Sequence, residues 1–290
     1  MLDHVAHFVP HVDSASSVLE KLGFTLTPFS AQSYRPEPGG PLTPAGTGNR
    51  CVMLERGYLE FLTPTGDTPI ASQLRIAIKR YTGLHLIAFG SAAPERDHER
   101  LQRAGFSPLE PVALQREIDT GGGRGTARFT VVRVPPETMA EGRIQFCQHH
   151  TPELVWQARW TDHANRAVAL AGVILHVADA REAAQRYARY TGLLAQLSGS
   201  VWRIATARGY LLFLDGDTLH RRLGIVPPSL PWIAGYVLTS GDIAATGDWL
   251  RRSGSGVDVL GSRRLLLQLP PVLGGCAIFE PQNSGTLNFD

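Results

Sequence analysis

The sequence predicts an α+β chain assembled from four copies of one β-α-β-β-β unit. Three observations predict it. "RGYLEFL" at 56–62 returns as "RGYLLFL" at 208–214. Four strand-like runs are each followed by a helix-like run that stops near a glycine, in LGF, AGF, TGL and SGS. Four later strand-like runs each start on a glycine, in GYLEFL, GRIQFC, GYLLFL and GCAIFE. Self-similarity of this kind sets the architecture before any single residue is weighed.

The elements follow in order. LDHVAHFV (2–9) alternates with the period of a strand, and DSASSVLEKLGF (13–24) carries Val18, Leu19 and Leu22 on one helical face with Gly23 as its stop. GYLEFL (57–62) closes the first unit. The second runs from GLHLIAFG (83–90) through APERDHERLQRAGF (93–106) to GRIQFC (142–147). The third runs from AGVILHVA (171–178) through DAREAAQRYARYTGL (179–193) to GYLLFL (209–214). The fourth runs from WIAGYVLTS (232–240) through GDIAATGDWLRRSGSG (241–256) to GCAIFE (275–280). Short β-like segments lie between each helix and its closing strand. TPELVW (151–156) reads as the link between the first pair of units and the second, giving domains of 1–156 and 165–290.

Composition narrows the function classes. Of 290 residues, 43% are apolar and 19% charged, as in a soluble globular protein with a real core. Net charge is only +2, so neither nucleic acid nor an anionic membrane is the expected partner. Cys51, Cys147 and Cys276 are far apart and form no C-x-x-C pair, which fits a reducing, cytoplasmic compartment. MLDHVAHFVP has no basic leader region, and no apolar run has the length of a spanning helix. GGGRG (121–125) neither follows a clear strand nor opens a helix, so it reads as a flexible loop and not a phosphate cradle.

Candidate site residues come from comparing the units position by position. Three residues beyond the closing-strand glycines stand Glu60, Gln145, Leu212 and Ile278. The matching opening-strand positions hold His4, His85, Gly172 and, within one residue, Ala234. Both positions are polar only in the first two units. His7 has the opposite strand parity to His4 and is expected to face away from it. The stretches 29–50 and 107–128 make the first two units longer than the last two, and both are rich in Pro and Gly. They read as long binding loops over the polar half, and make Tyr34, Arg50, Arg124 and Arg128 candidate substrate contacts, the arginines for an anion.

A unit opening on x-H-V and closing on G-x-x-E resembles the vicinal oxygen chelate superfamily, which includes glyoxalase I, extradiol dioxygenases, methylmalonyl-CoA epimerase and the bleomycin-resistance proteins. The opening LDHVAHFVPHVDSASSVLEKLGFTLTPFSAQ is similar to its glyoxalase-like branch. The resemblance implies that the units pair into two half-open β barrels. It also implies one divalent ion (Zn, Ni, Fe, Co or Mn) on His4, Glu60, His85 and Gln145, with His149 or His150 as stand-ins for the amide. Domain 165–290 would then be a degenerate copy that serves for packing or as a homodimer surface. The implied activity is that of a metal-dependent lyase or isomerase acting on a small carbonyl or vicinal-oxygen substrate, with Glu60 as proton shuttle and an enediolate stabilised. Two alternatives stand beside it: an Fe(II) extradiol-type dioxygenase using His4, His85 and Glu60, and a non-catalytic protein that binds a small molecule.

Overall fold

The computed structural model describes residues 1–37, 39–261, 263–282, 284–285 and 287. The first unit contains β1 (Leu2–Phe8), α1 (Val12–Lys21), β2 (Ser30–Tyr34), β3 (Thr43–Met53) and β4 (Tyr58–Pro64), and is followed by α2 (Pro69–Arg80). The second contains β5 (Gly83–Gly90), α3 (Pro94–Arg103), β6 (Val112–Asp119), β7 (Arg124–Arg133) and β8 (Arg143–His149), and a short α4 (Pro152–Val155) leads onward. The third contains β9 (Ala167–His176), α5 (Ala180–Thr191), β10 (Ala195–Ser198), β11 (Val201–Ala205) and β12 (Tyr210–Leu214), followed by α6 (Gly216–Leu223). The fourth contains β13 (Trp232–Ser240), α7 (Ile243–Arg252), β14 (Val257–Leu260), β15 (Arg264–Gln268) and β16 (Cys276–Pro281). Each of the four groups thus runs strand, helix and three strands in order. Helices α2 and α6 lie beyond the closing strands, outside the repeated pattern, and were not anticipated. Each has a side-chain N-cap, Thr68 accepting from the Ala71 amide and Asp215 from that of Thr218.

The repeated glycine before each closing strand has one cause. A Cβ on Gly57, Gly142, Gly209 or Gly275 would lie 2.8, 2.5, 2.9 or 2.8 Å from the carbonyl oxygen of Asp3, His85, Ala171 or Ala234 respectively. Those four residues are the unpaired members of β-bulges in the opening strands. On β1, Leu2 faces Phe89 and His4 faces Ala88, leaving Asp3 over; on β5, Ala6 faces Leu86 and His7 faces Leu84, leaving His85 over. Ala171 and Ala234 are left over in the same way between β9 and β13. The structural equivalents of His4 are thus Leu86, Gly172 and Gly235. His85 is the equivalent of Asp3, one position away from where sequence comparison set it.

The first two units close completely. Their strands run in the ring β1-β4-β3-β2-β6-β7-β8-β5, and β5 pairs back to β1. The seam is β2 against β6, with Gln32 facing Arg116, Ser33 facing Gln115 and Tyr34 facing Leu114. This corrects the expectation of long loops: β2, β3, β6 and β7 take up more than half of 29–50 and 107–128, and the described residues outside strands there are 29, 35–37, 39–42, 107–111 and 120–123. Turn residues at the tips hid the period-two pattern in their flanks. The barrel is closed, where a half-open one was expected. The second pair of units does stay half open, with no pairing between β10 and β14 among the described residues.

Outer sheet faces and helices from both halves share one apolar core, while each barrel has its own interior. The second interior is filled with hydrocarbon. Leu212 and Ile278 are buried, and burying each contributes about 1.5–3 kcal/mol. At Gly172 the Tyr210 ring occupies the space, since a Cβ there would sit 2.4 Å from it. In the first barrel His4 stands at this position and stacks on Tyr58 at 4.3 Å. No described helix is long and apolar enough to cross a membrane.

His7 ties the halves together from the outer face of β1, as its parity predicts. Its Nδ1–H donates to the Leu273 carbonyl at 2.8 Å, and its ring stacks on Phe61 and meets the edge of Tyr236. Burial pushes its pKa down to about 4 from 6.5, the Leu273 bond opposing and His85 assisting. Between those values the unfolded chain binds more protons than the folded one, so stability falls as pH drops through that window. His7→Phe, which keeps the stacking, is expected to remove about 2 kcal/mol of the stability lost between pH 7 and 5. Urea unfolding at the two pH values measures it; an unchanged loss contradicts the assignment.

Candidate functional site

The closed barrel holds a cavity of about 70 Å³. Its polar lining comes from seven of the eight strands: His4, Gln32, Asn49, Glu60, Arg116, Arg133 and, both from β8, Arg143 and Gln145. The eighth strand, β5, contributes Leu86. Tyr58, Leu62, Phe129 and Val131 form apolar wall between them.

Glu60 is the only carboxylate in the described lining. Its Oε1 accepts from the side-chain amides of Gln32, at 3.2 Å, and Asn49. Thr47 donates to Gln32 at 2.8 Å and Arg116 to Asn49 at 3.2 Å, so both clamps are themselves held. Glu60 Oε2 has no hydrogen-bond donor among the described residues. One oxygen is fixed and the other is available.

His4 is held from behind. Its Nδ1–H donates to Asp3 Oδ2 at 2.7 Å, and the same oxygen accepts from His149 Nε2–H at 2.9 Å. Arg208, from the second half, stands 3.6 Å from Asp3 Oδ1. Burial alone would raise the Asp3 carboxyl, but the His149 and His4 donors outweigh it and hold it well below the usual carboxylate range. The Asp3 bond fixes the tautomer of His4 and leaves Nε2 without a protein partner among the described residues. A buried carboxylate holding an imidazole that presents its other nitrogen to a site is the usual support of a ligating histidine.

His4, Glu60 and Gln145 meet at the cavity, and His85 does not. The bulge on β5 takes His85 out of the lining and stacks it between Tyr81, at 4.0 Å, and Phe8, at 5.2 Å. Its Nε2–H donates to the Tyr81 carbonyl at 2.8 Å, and burial pushes its pKa down to about 4. Gln145 Oε1 accepts from Arg133 Nε at 2.9 Å. His149 supports Asp3, and His150 is exposed and bonded to Thr130. Tyr34, Arg50, Arg124 and Arg128 lie outside the lining. Arg50 is bonded to the Thr27 carbonyl, and Arg124 and Arg128 are exposed on β7.

The arginines that do reach the cavity are Arg116, Arg133 and Arg143. Strand parity carried the signal: Arg143 is two residues before Gln145, and Arg133 shares a face with Phe129 and Val131. Burial, with Arg133 nearby, pushes the pKa of Arg143 down to about 9, Glu60 pulling the other way.

Residues 2–191 match the family model described as a glyoxalase-like domain. The chain belongs to the glyoxalase-like domain family. This glyoxalase-like chain shares the vicinal oxygen chelate fold with solved structures at low identity. A hypothetical protein from Staphylococcus aureus matches at 12% identity and TM-score 0.65, over 97% of this chain and 98% of that one. A triple mutant of 4-hydroxymandelate synthase from Streptomyces coelicolor matches at 14% and 0.55, over 98% and 94%. A fusion of a xylose isomerase-like TIM barrel with 4-hydroxyphenylpyruvate dioxygenase matches at 9% and 0.56, over 99% of this chain and 50% of that one. No curated protein sequence matches the chain.

Two donor groups of this glyoxalase-like site could hold a divalent ion. His4 Nε2 and Glu60 Oε2 fit, being unpartnered and braced from behind, whereas the Gln145 oxygen is shared with Arg133. Asp3, Cys147 and His149 also bring donor atoms within 4.8 Å of one another. Burial, with Asp3 and Glu60 close, keeps the Cys147 thiol protonated. As it stands, Asp3 orients His4 and is itself held by His149. Asp3→Asn is expected to lower stability by about 2 kcal/mol at pH 7, since two buried imidazole donors lose a charged acceptor. Chemical denaturation reads the change, and an unchanged midpoint contradicts it.

Proposed function

We propose that this chain is a metal-assisted enzyme of the glyoxalase type that moves a proton at the carbon beside the carbonyl of a small substrate. One observation carries the reading: the cavity's single carboxylate, Glu60, has Oε1 clamped by two amides and Oε2 open, next to a braced imidazole. A proton carrier needs a fixed approach and a free basic atom, and Glu60 has both.

A divalent ion (Zn, Ni, Fe, Co or Mn) would be held by His4 Nε2 and, in the absence of substrate, by Glu60 Oε2, with Gln145 beside them, and would supply Lewis-acid polarisation of the carbonyl once substrate frees Oε2 to act as the base. The chain's own groups do the rest. Glu60 takes the carbon-bound proton and returns it at the neighbouring position. The Gln145 amide N–H lines the cavity and would donate to the oxygen on which negative charge grows. Leu62, Phe129 and Val131 keep bulk water from the proton in transit. The dioxygenase reading needs a second imidazole in the set, and His85 does not reach the lining.

Proton exchange tests the reading directly. In D2O, the protein is expected to catalyse deuterium uptake beside the carbonyl in a panel of small 2-oxo and 2-hydroxy compounds, followed by NMR. Glu60→Gln, which keeps the amide clamps, is expected to lose this exchange by at least about a hundredfold. No exchange with any compound, together with tight binding, would make the chain a binding protein; oxygen uptake with catechols would make it a dioxygenase. Metal content, read by mass spectrometry after equilibration with each ion, is expected to fall in His4→Ala and Glu60→Ala and to persist in His85→Ala. Equal retention in all three contradicts the proposed ligands.

A further inference from the structure

We propose that the substrate of the first-barrel cavity is a small organic acid with an oxo or hydroxyl oxygen beside its carboxylate, and that Arg116, Arg133 and Arg143 bind that carboxylate. This rests on reading the cavity as the substrate site, and adds what the substrate must carry.

The argument starts from how the three guanidinium groups are partnered. Arg116 donates to Asn49 Oδ1 at 3.2 Å, Arg133 to Gln145 Oε1 at 2.9 Å, and Arg143 to Gln73 Oε1 at 3.4 Å. Each leans on a neutral amide, and none has an ion pair among the described residues. Two other half-buried arginines of the same protein are paired with buried carboxylates: Arg186 with Glu141 and Arg264 with Glu280, both at 2.8 Å. Arg116 is buried and Arg133 and Arg143 are half-buried; a charge withdrawn from water without a counter-charge is costly, and three sharing one cavity are more so. Glu60 is the sole carboxylate there, and its bonded oxygen is taken by amides. Three positive groups against one negative leave an excess of two charges, which an incoming anion would balance.

The geometry also selects the kind of anion. Guanidinium forks match the planar pair of oxygens of a carboxylate. Leu62, Leu86, Phe129 and Val131 suit a short carbon body and give a fully hydrated phosphate nothing to bond. His4, Glu60 and the Gln145 amide stand beside the arginines, where an oxygen adjacent to the carboxylate would fall. The charge excess also links the two ligands: a divalent ion is held better once the organic anion is in place.

Calorimetric titration of the wild-type protein with 2-oxobutanoate, 1-hydroxybutan-2-one and inorganic phosphate tests this without any variant. The acid is expected to bind at least tenfold more tightly than its neutral counterpart or phosphate. Equal affinity for 1-hydroxybutan-2-one overturns the inference, and tighter phosphate binding overturns the organic body. Arg143→Met is expected to weaken acid binding tenfold or more while leaving the melting temperature equal or higher, because an uncompensated charge has gone. A purely structural arginine would lower the melting temperature and leave the affinity unchanged, which overturns the assignment. Glu60→Gln separates the two ideas, since it should abolish exchange yet keep acid binding. If exchange depends on Glu60 but acid and neutral compound bind alike, the inference fails and the reaction stands. If acid binds through Arg143 but nothing exchanges, the reaction fails and the inference stands.

Discussion

The pairing of β2 with β6 is the constraint on which the rest of the site depends. It converts a half-open sheet into a closed ring and brings Gln32 opposite Arg116 across the seam. Without that pairing, the Asn49–Glu60–Gln32 clamp would face solvent, and amide hydrogen bonds to a carboxylate would compete with water at little net gain. With it, the clamp is buried, and the interior becomes a cavity whose electrostatics are set by a few side chains. The second pair of units shows the contrast. It has shorter intermediate strands, leaves its edges at β10 and β14 unpaired among the described residues, and fills its interior with Tyr210, Leu212 and Ile278.

The second half still contributes to the first. The turn before β12 accepts and donates around Leu2, with Thr206 and Arg208 bonded to its backbone, and it sets Arg208 near Asp3. Asp3 in turn carries His4 and His149 on one oxygen. An ion-pair contact from Arg208 to Asp3, continued by charge-assisted hydrogen bonds to Asp3, therefore links a turn of the filled barrel to an imidazole in the open cavity. The packing role expected of the second half has a specific form here: its glycine-led turn lies against the opening strand of the first half, just as Gly57 and Arg56 lie against β9.

Much of this was legible in the sequence because it repeats. The closing-strand positions follow from counting three residues past a glycine, which recurs because each closing strand passes a bulged carbonyl, and the opening-strand positions follow from matching the units to one another. The count placed His4, Glu60 and Gln145 together. It failed at His85, because a bulge shifts side chains by one position without leaving a mark in the alternation. The arginines failed for another reason. The Pro- and Gly-rich stretch at 36–46 and the glycines at 121–123 make whole hairpins read as loops, which favours Arg124 and Arg128 near a tip over Arg116 and Arg133 further along the strands. Asp3 was overlooked as the neighbour of His4 because consecutive strand residues normally point to opposite faces, a rule that the bulge suspends.

The central claim is that the closed barrel is a site for a carboxylate-bearing carbonyl compound handled by Glu60. A crystal structure of the protein soaked with 2-oxobutanoate tests it most directly. The account expects the carboxylate against Arg116, Arg133 and Arg143, with the carbon beside the carbonyl within reach of Glu60 Oε2. Ligand density outside the first barrel, or a carboxylate turned away from all three guanidinium groups, would contradict it.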